Sequence, residues 1–172
     1  MGNILFAEQE GVNVLKLVGD IRAGLAPTIT HFLNQIGHQP GMRAVVIDLR
    51  EAHSIDSTSL GLLAKISLRC QEALDNVPTI VSTSPDINRI LVSMGFDNVF
   101  VIVNEFEEPL DRLGELPVQL VSEAVLCDQV LEAHRVLMSL NKHNEEAFQD
   151  LVKALEQEKE DITHSQHRLR AV

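Results

Sequence analysis

Short apolar runs separated by stretches of helical periodicity decide the fold class of this chain. Residues 3–8, 12–18, 43–48, 79–82 and 98–103 read as strands, and helix-spaced segments lie between all but the first two. Gln9-Glu10-Gly11 joins the opening pair as a hairpin, and Gly19-Asp20 breaks the second strand. Leu25, Ile29, Phe32, Leu33 and Ile36 then fall at helical spacing after Pro27, until Gly37 and Pro40-Gly41 end the helix. Leu62, Leu63, Ile66, Cys70 and Leu74 mark a second helix over about residues 57–75. A third opens at Ser84-Pro85-Asp86 with Ile87, Ile90, Leu91 and Met94 as its apolar face, and Gly95 closes it. Strands that alternate with helices in this order predict an α/β fold, a mixed, mainly parallel sheet of about five strands packed with helices.

The pattern changes near Asn104. Glu105, Glu107, Glu108, Pro109, Asp111, Gly114, Glu115 and Pro117 form an acidic, breaker-rich connection, after which the periodicity is helical only. Val121, Val125, Leu131 and Val136 or Leu137 predict a helix over 118–140. Phe148, Leu151, Val152 and Leu155 predict a second from about Asn144, with Asn141-Lys142-His143-Asn144 as the break of a helical hairpin. The expected division is a sheet-containing domain at 1–104, a linker at 105–117, a helical extension at 118–160 and a frayed tail at 161–172.

Charge bounds the partners. The 172 residues carry a formal charge of −11, with 7 basic and 10 acidic side chains up to residue 104 and 7 and 15 beyond it. Such a surface argues against nucleic acid and anionic membrane and favours protein partners. Cys70 and Cys127 lie on predicted apolar helix faces without C-x-x-C spacing, the pattern of buried, reduced thiols. Residues 1–8 lack a basic segment followed by an apolar core, and no apolar run approaches the ~20 residues of a membrane span. A cytoplasmic protein is expected.

Chemistry concentrates at Ile55-Asp56-Ser57-Thr58-Ser59-Leu60-Gly61-Leu62. Asp56 is the expected cap of the second helix, because its carboxylate can accept from the free N–H groups of the first turn. Ser57, Thr58 and Ser59 then become the first helical residues. Gly61 carries a helix-propensity cost of about 1 kcal/mol relative to Ala, which a close packing contact would justify.

This segment and the order of elements around it resemble the STAS domain of anti-sigma factor antagonists in bacterial partner switching, over residues 3–103. The family motif Asp-Ser-(Ser/Thr)-Gly-Leu-Gly is matched by Asp56, Ser57, Thr58, Ser59, Leu60 and Gly61, and Gly19-Asp20-Ile21 looks like the Gly-(Glu/Asp)-(Leu/Ile) that ends the family's second strand. Ser59 departs from the pattern, standing where glycine is usual. The resemblance implies phosphorylation at Ser57, with Thr58 and Ser59 as secondary candidates. It implies a partner surface of Asp20, Asp56, Ser57, Thr58, Ser59 and Leu60. Its partners would be an anti-sigma factor or serine switch kinase, with a PP2C-type phosphatase to reverse the modification, and no enzyme activity, cofactor or metal is expected. A STAS scaffold or ligand-sensing module without phosphorylation is the alternative. The extension is extra to a short antagonist, and its apolar stripes are expected to fold back on the domain, to form a homodimer or to hold a second partner.

Two other readings fit the residues less well. His53 and Asp48 near Ser57 raise a serine hydrolase, but there is no Gly-x-Ser-x-Gly elbow and a triad draws its members from separate elements, so His53 reads as a polar loop residue. A phosphoaspartate receiver at Asp48 would need an acidic pair after the first strand, where Glu8 stands alone. His31, His38, His134, His143, His164 and His167 show no metal spacing and read as solvated surface residues.

Overall fold

The computed structural model describes residues 1–107 and 113–171. Strands β1 (Asn3–Gln9) and β2 (Val12–Ile21) form an antiparallel hairpin. Its two-residue turn places Glu10 and Gly11 at φ 51° and 85°, the left-handed pair whose twist matches the flanking strands. A short 3-10 helix (Ala23–Leu25) leads into α1 (Ala26–Gln35), whose first turn holds Pro27 where a missing N–H costs nothing. Next come β3 (Ala44–Ile55), α2 (Ser57–Leu74), β4 (Thr79–Val81), α3 (Pro85–Ser93) and β5 (Val101–Val103).

The sheet has six strands in the order β5-β4-β3-β2-β1-β6, where β6 is Gly114–Glu115. β2 through β5 pair in parallel, and β1 is antiparallel to both β2 and β6. Leu15, Leu17, Val45, Ile47, Leu49 and Ile80 point to the face that α1 and α2 cover, and Ile87 and Leu91 of α3 join the same core. On the opposite face Val14, Val46 and Val81 form a smaller cluster against Phe106, which follows β5. Asp48 is buried on that face among polar neighbours. Its two carboxylate oxygens accept from Arg50 Nε and Nη2 at 3.0 and 2.8 Å, and Lys16 beside it pairs with Glu51.

Several boundaries differ from the sequence reading. β3 continues seven residues past Asp48, so His53 stands on a strand rather than in a loop. Arg50, Glu51, His53 and Ser54 hide the strand signal, but pairing with β2 runs through to Ile21 and Ile55. β2 likewise passes through Gly19 and Asp20, where Gly19 at φ 79° absorbs an irregularity in the pairing instead of ending it. Residues 96–98 form a 3-10 turn, so β5 begins at Val101. Part of the expected linker is sheet: β6 pairs with Leu5 and Phe6, and the Leu116 N–H donates to the Ile4 carbonyl. Residues 108–112 of that linker lie outside the described residues.

The extension is two helices, α4 (Glu123–Leu140) and α5 (Lys142–Arg170). Ser122 caps α4, so the helix starts five residues later than its apolar pattern suggests. Asn141 alone makes the break, closing α4 in an extended conformation while its side chain accepts from the Asn144 N–H to cap α5. α5 also runs through the segment expected to fray. No glycine or proline follows Asn144 to stop it, and His167, Arg168 and Arg170 in the last turn suit the negative end of the helix. α4 lies across α2 and α1 as a further layer, with Leu131, Ala133, Val136 and Leu137 buried, and α5 packs on α4. The stripe of α4 is therefore covered within the molecule from Cys127 to Leu137, whereas Val121 and Val125 at its start stay exposed. Among the described residues no helix is long and apolar enough to cross a membrane.

Candidate functional site at the start of helix α2

Asp56 ties three segments together. Its backbone N–H donates to the Ile21 carbonyl at the end of β2, at 3.0 Å. Its side chain accepts from the Ser59 N–H at 2.8 Å, capping α2, and from the Ala23 N–H at 2.7 Å, fixing the turn after β2. An extended φ of −85° and ψ of 169° at Asp56 lets one carboxylate serve both. The ends of β2 and β3 and the first turn of α2 are thereby locked into one surface. Asp20 lies exposed beside it, and the Ser54 hydroxyl donates to its carboxylate at 2.6 Å. That bond, with the nearby charge of Arg22, holds the Asp20 carboxyl below its ordinary value.

The hydroxyl cluster divides by depth. Ser57 is half-buried, whereas Thr58 is 5% exposed, Ser59 fully buried and Leu60 2% exposed. The departure at Ser59 thus points into the interior, where its Oγ has no hydrogen-bond partner among the described residues. As folded, Thr58, Ser59 and Leu60 of the expected partner face and secondary acceptors are buried. Asp20, Asp56 and Ser57 are the expected site residues that solvent reaches.

Ser57 meets a residue the sequence reading had placed on the surface. His134 of α4 is 2% exposed, and its Nε2 lies 2.9 Å from Ser57 Oγ. Its Nδ1 lies 2.7 Å from the Val130 carbonyl, which can only accept. In the neutral imidazole Nδ1 therefore carries the proton, and Ser57 Oγ–H donates to Nε2. Phe148 of α5 packs edge-on against the imidazole with ring centroids 5.5 Å apart. The signal for His134 was present in α4, since Cys127, Leu131, His134 and Leu137 recur on one helical face.

Gly61, one turn along α2, makes this approach possible. A Cβ there would stand 2.2 Å from the Ala133 carbonyl oxygen and 2.8 Å from the Ala133 Cβ. The backbones of α2 and α4 touch at that point, which accounts for a glycine inside a helix. A serine bonded to a histidine also invites the hydrolase reading again. The group that orients His134 is a main-chain carbonyl rather than a carboxylate, and His53 and Asp48 take no part. The cleft of about 520 Å³ between α1, α2 and α4 is lined by Lys65, Arg69 and Glu72 farther along α2 and by Glu132 of α4, not by Ser57.

Both cysteines are buried and free. Burial pushes the Cys70 thiol up to about 12, and burial followed by nearby carboxylates also raises Cys127. Neither is poised as a thiolate. Among the described residues no group of three or more histidine, cysteine, aspartate or glutamate side chains is arranged to hold a metal ion.

The family model for the STAS domain matches residues 3–109. An anti-sigma factor antagonist from Mycobacterium paratuberculosis has a similar fold, with 22% identity, coverage of 62% of this chain and 88% of that one, and a TM-score of 0.54. The anti-sigma factor antagonist SpoIIAA in its unphosphorylated form is 16% identical over 59% of this chain and 87% of that one, with a TM-score of 0.49. The Bacillus SpoIIAA in the phosphorylated form is 14% identical over 59% and 92%, with a TM-score of 0.49. No curated protein matches the sequence.

Proposed function

This chain belongs to the STAS domain family, and on that footing we propose that it is a non-catalytic anti-sigma factor antagonist of a bacterial partner-switching pathway. In this reading the unphosphorylated form binds a cognate anti-sigma factor or switch kinase in the cytoplasm, and phosphorylation at Ser57 releases it. A PP2C-type phosphatase restores the binding form.

The observation that carries the reading is the position of Ser57. It is the first residue of α2, half-buried where β2 and β3 end, beside the Asp56 cap. Phosphoserine brings a charge of about −1.5 to −2 at neutral pH, and the positive end of the α2 macrodipole lets the fold accept it. A partner that buries Ser57 beside Asp56 would have to desolvate that dianion. A cost of about 3 kcal/mol lowers affinity roughly a hundredfold, enough for a switch. The burial of Thr58 and Ser59 favours Ser57 as the acceptor.

Capture of partners by Ser57→Ala and Ser57→Asp chains, read by mass spectrometry, tests the reading. The Ala chain is expected to retain a protein that the Asp chain loses. Equal capture by both would sink it.

A further inference from the structure

We propose that the α4–α5 hairpin and a phosphoryl group on Ser57 are mutually exclusive occupants of the start of α2, so that the hairpin gates modification of Ser57 and modification keeps the hairpin lifted. The inference rests on Ser57 being the phosphoacceptor. It concerns what that event does inside this chain rather than what it does to a partner.

Access is the first argument. Ser57 Oγ donates to His134 Nε2 at 2.9 Å, and His134 is 2% exposed, closed on its far side by Phe148 of α5. A kinase must bring the terminal phosphate of a nucleoside triphosphate onto the atom that this bond occupies. In the transfer the Oγ–P bond forms, the bond from that phosphorus to the nucleoside diphosphate breaks, and the hydroxyl proton leaves with a base of the kinase. With α4 in place there is no open line to Oγ on the His134 side.

Compatibility is the second. The Nδ1–H···O=C bond to Val130 leaves a lone pair at Nε2. Phosphorylation replaces the donor that meets it with acceptor oxygens, beside the Asp56 carboxylate and against the buried His134. The charge must be desolvated for the hairpin to close again.

Apolar packing of Ala133, Val136 and Leu137 on the core holds the hairpin down, and lifting it must uncover them, but few polar ties add to that packing. Residues 117–122, which connect it to β6, have no regular structure, and the Gln119 N–H makes a 3.2 Å bond there to Thr28 Oγ1. No strand pairing crosses between the hairpin and the sheet. Its polar ties to the body at the far end come from Asn144, whose Nδ2 donates to the Met94 carbonyl at 2.9 Å. A few differences in contact free energy at His134 and Gly61 can therefore bias a docked and an undocked population.

Hydrogen exchange on the full chain tests this with phosphoserine installed at position 57 during translation, which needs no knowledge of the kinase. A second arm uses Gly61→Ala, whose methyl meets the Ala133 carbonyl while alanine suits α2 itself. Both chains are expected to lose at least about tenfold of the amide protection of residues 127–140, with the sheet strands as protected as in the unmodified chain. Protection of α4 in the phosphoserine chain equal to or greater than in the unmodified chain would overturn the proposal, because the hairpin would then stay closed over the phosphate. Should Gly61→Ala unfold the sheet as well, the phosphoserine arm decides alone. Unchanged exchange contradicts the hairpin gate only, whereas unchanged partner capture by the phosphoserine chain contradicts the switch.

Discussion

Asp56 is the residue on which the surface around Ser57 depends, because one carboxylate satisfies the N–H groups of both Ser59 and Ala23. Asp56→Ala is expected to lower stability by about 2 kcal/mol, measured by urea titration, since a helix cap and a second charged hydrogen bond are lost together. Ser59 predicts the opposite sign. Its hydroxyl is buried without a partner among the described residues, and alanine is the better helix former, so Ser59→Ala should raise stability by about 1 kcal/mol in the same titration. The cap, the helix start and the packing glycine were legible in the sequence because they are neighbours within seven residues. The pairing of His134 with Ser57 was not, since 77 residues separate them and only packing joins them.

At the scale of elements, Asn144 clamps the hairpin. Fully buried, it donates to the carbonyls of Leu137 and Met94, each at 2.9 Å, linking α5 to α4 and to the end of α3. Asn144→Ala should cost about 2 kcal/mol and raise exchange in the first turns of α5 before it raises exchange in the sheet. The open face of the sheet carries a pH signature. Burial alone would push the Asp48 carboxyl up, but the Arg50 hydrogen bonds and charge outweigh it and hold the group below its ordinary value. A carboxyl held low in the folded state contributes stability that is present above its unfolded value of about 3.9 and is lost as pH falls through the folded one. Arg50→Met should therefore cost about 2–3 kcal/mol at pH 7, and the gap to the unsubstituted chain should narrow as unfolding is measured below about pH 4. Element boundaries were legible where glycine or proline marks them, as at Pro27, Pro85 and Gly95. They were hidden where a polar strand is held by its neighbour, as in the second half of β3, and where β6 earns its strand pairing only by reaching β1.

Across the whole molecule, the alternation of strand and helix was enough to read an α/β sheet through residue 103, and the family match over residues 3–109 agrees with it. What periodicity alone left open was the fate of the extension, because an apolar stripe does not say whether it is covered by its own chain or another. The close contact of Gly61 with Ala133 and the bond from Ser57 to His134 show that one face of α4 folds back on the sheet domain, and they bring the more acidic part of the chain onto the site of the proposed switch. The central claim is that Ser57 carries the signal. Site-resolved mass spectrometry of the full chain recovered from cells in which it is naturally made tests that most directly. The account predicts a phosphorylated fraction with the phosphate on Ser57, with Thr58 and Ser59 unmodified, and no phosphate in this segment of a Ser57→Ala chain. Phosphate on Thr58 or Ser59 with Ser57 unmodified, or a chain unmodified at Ser57 under every growth condition, would contradict it.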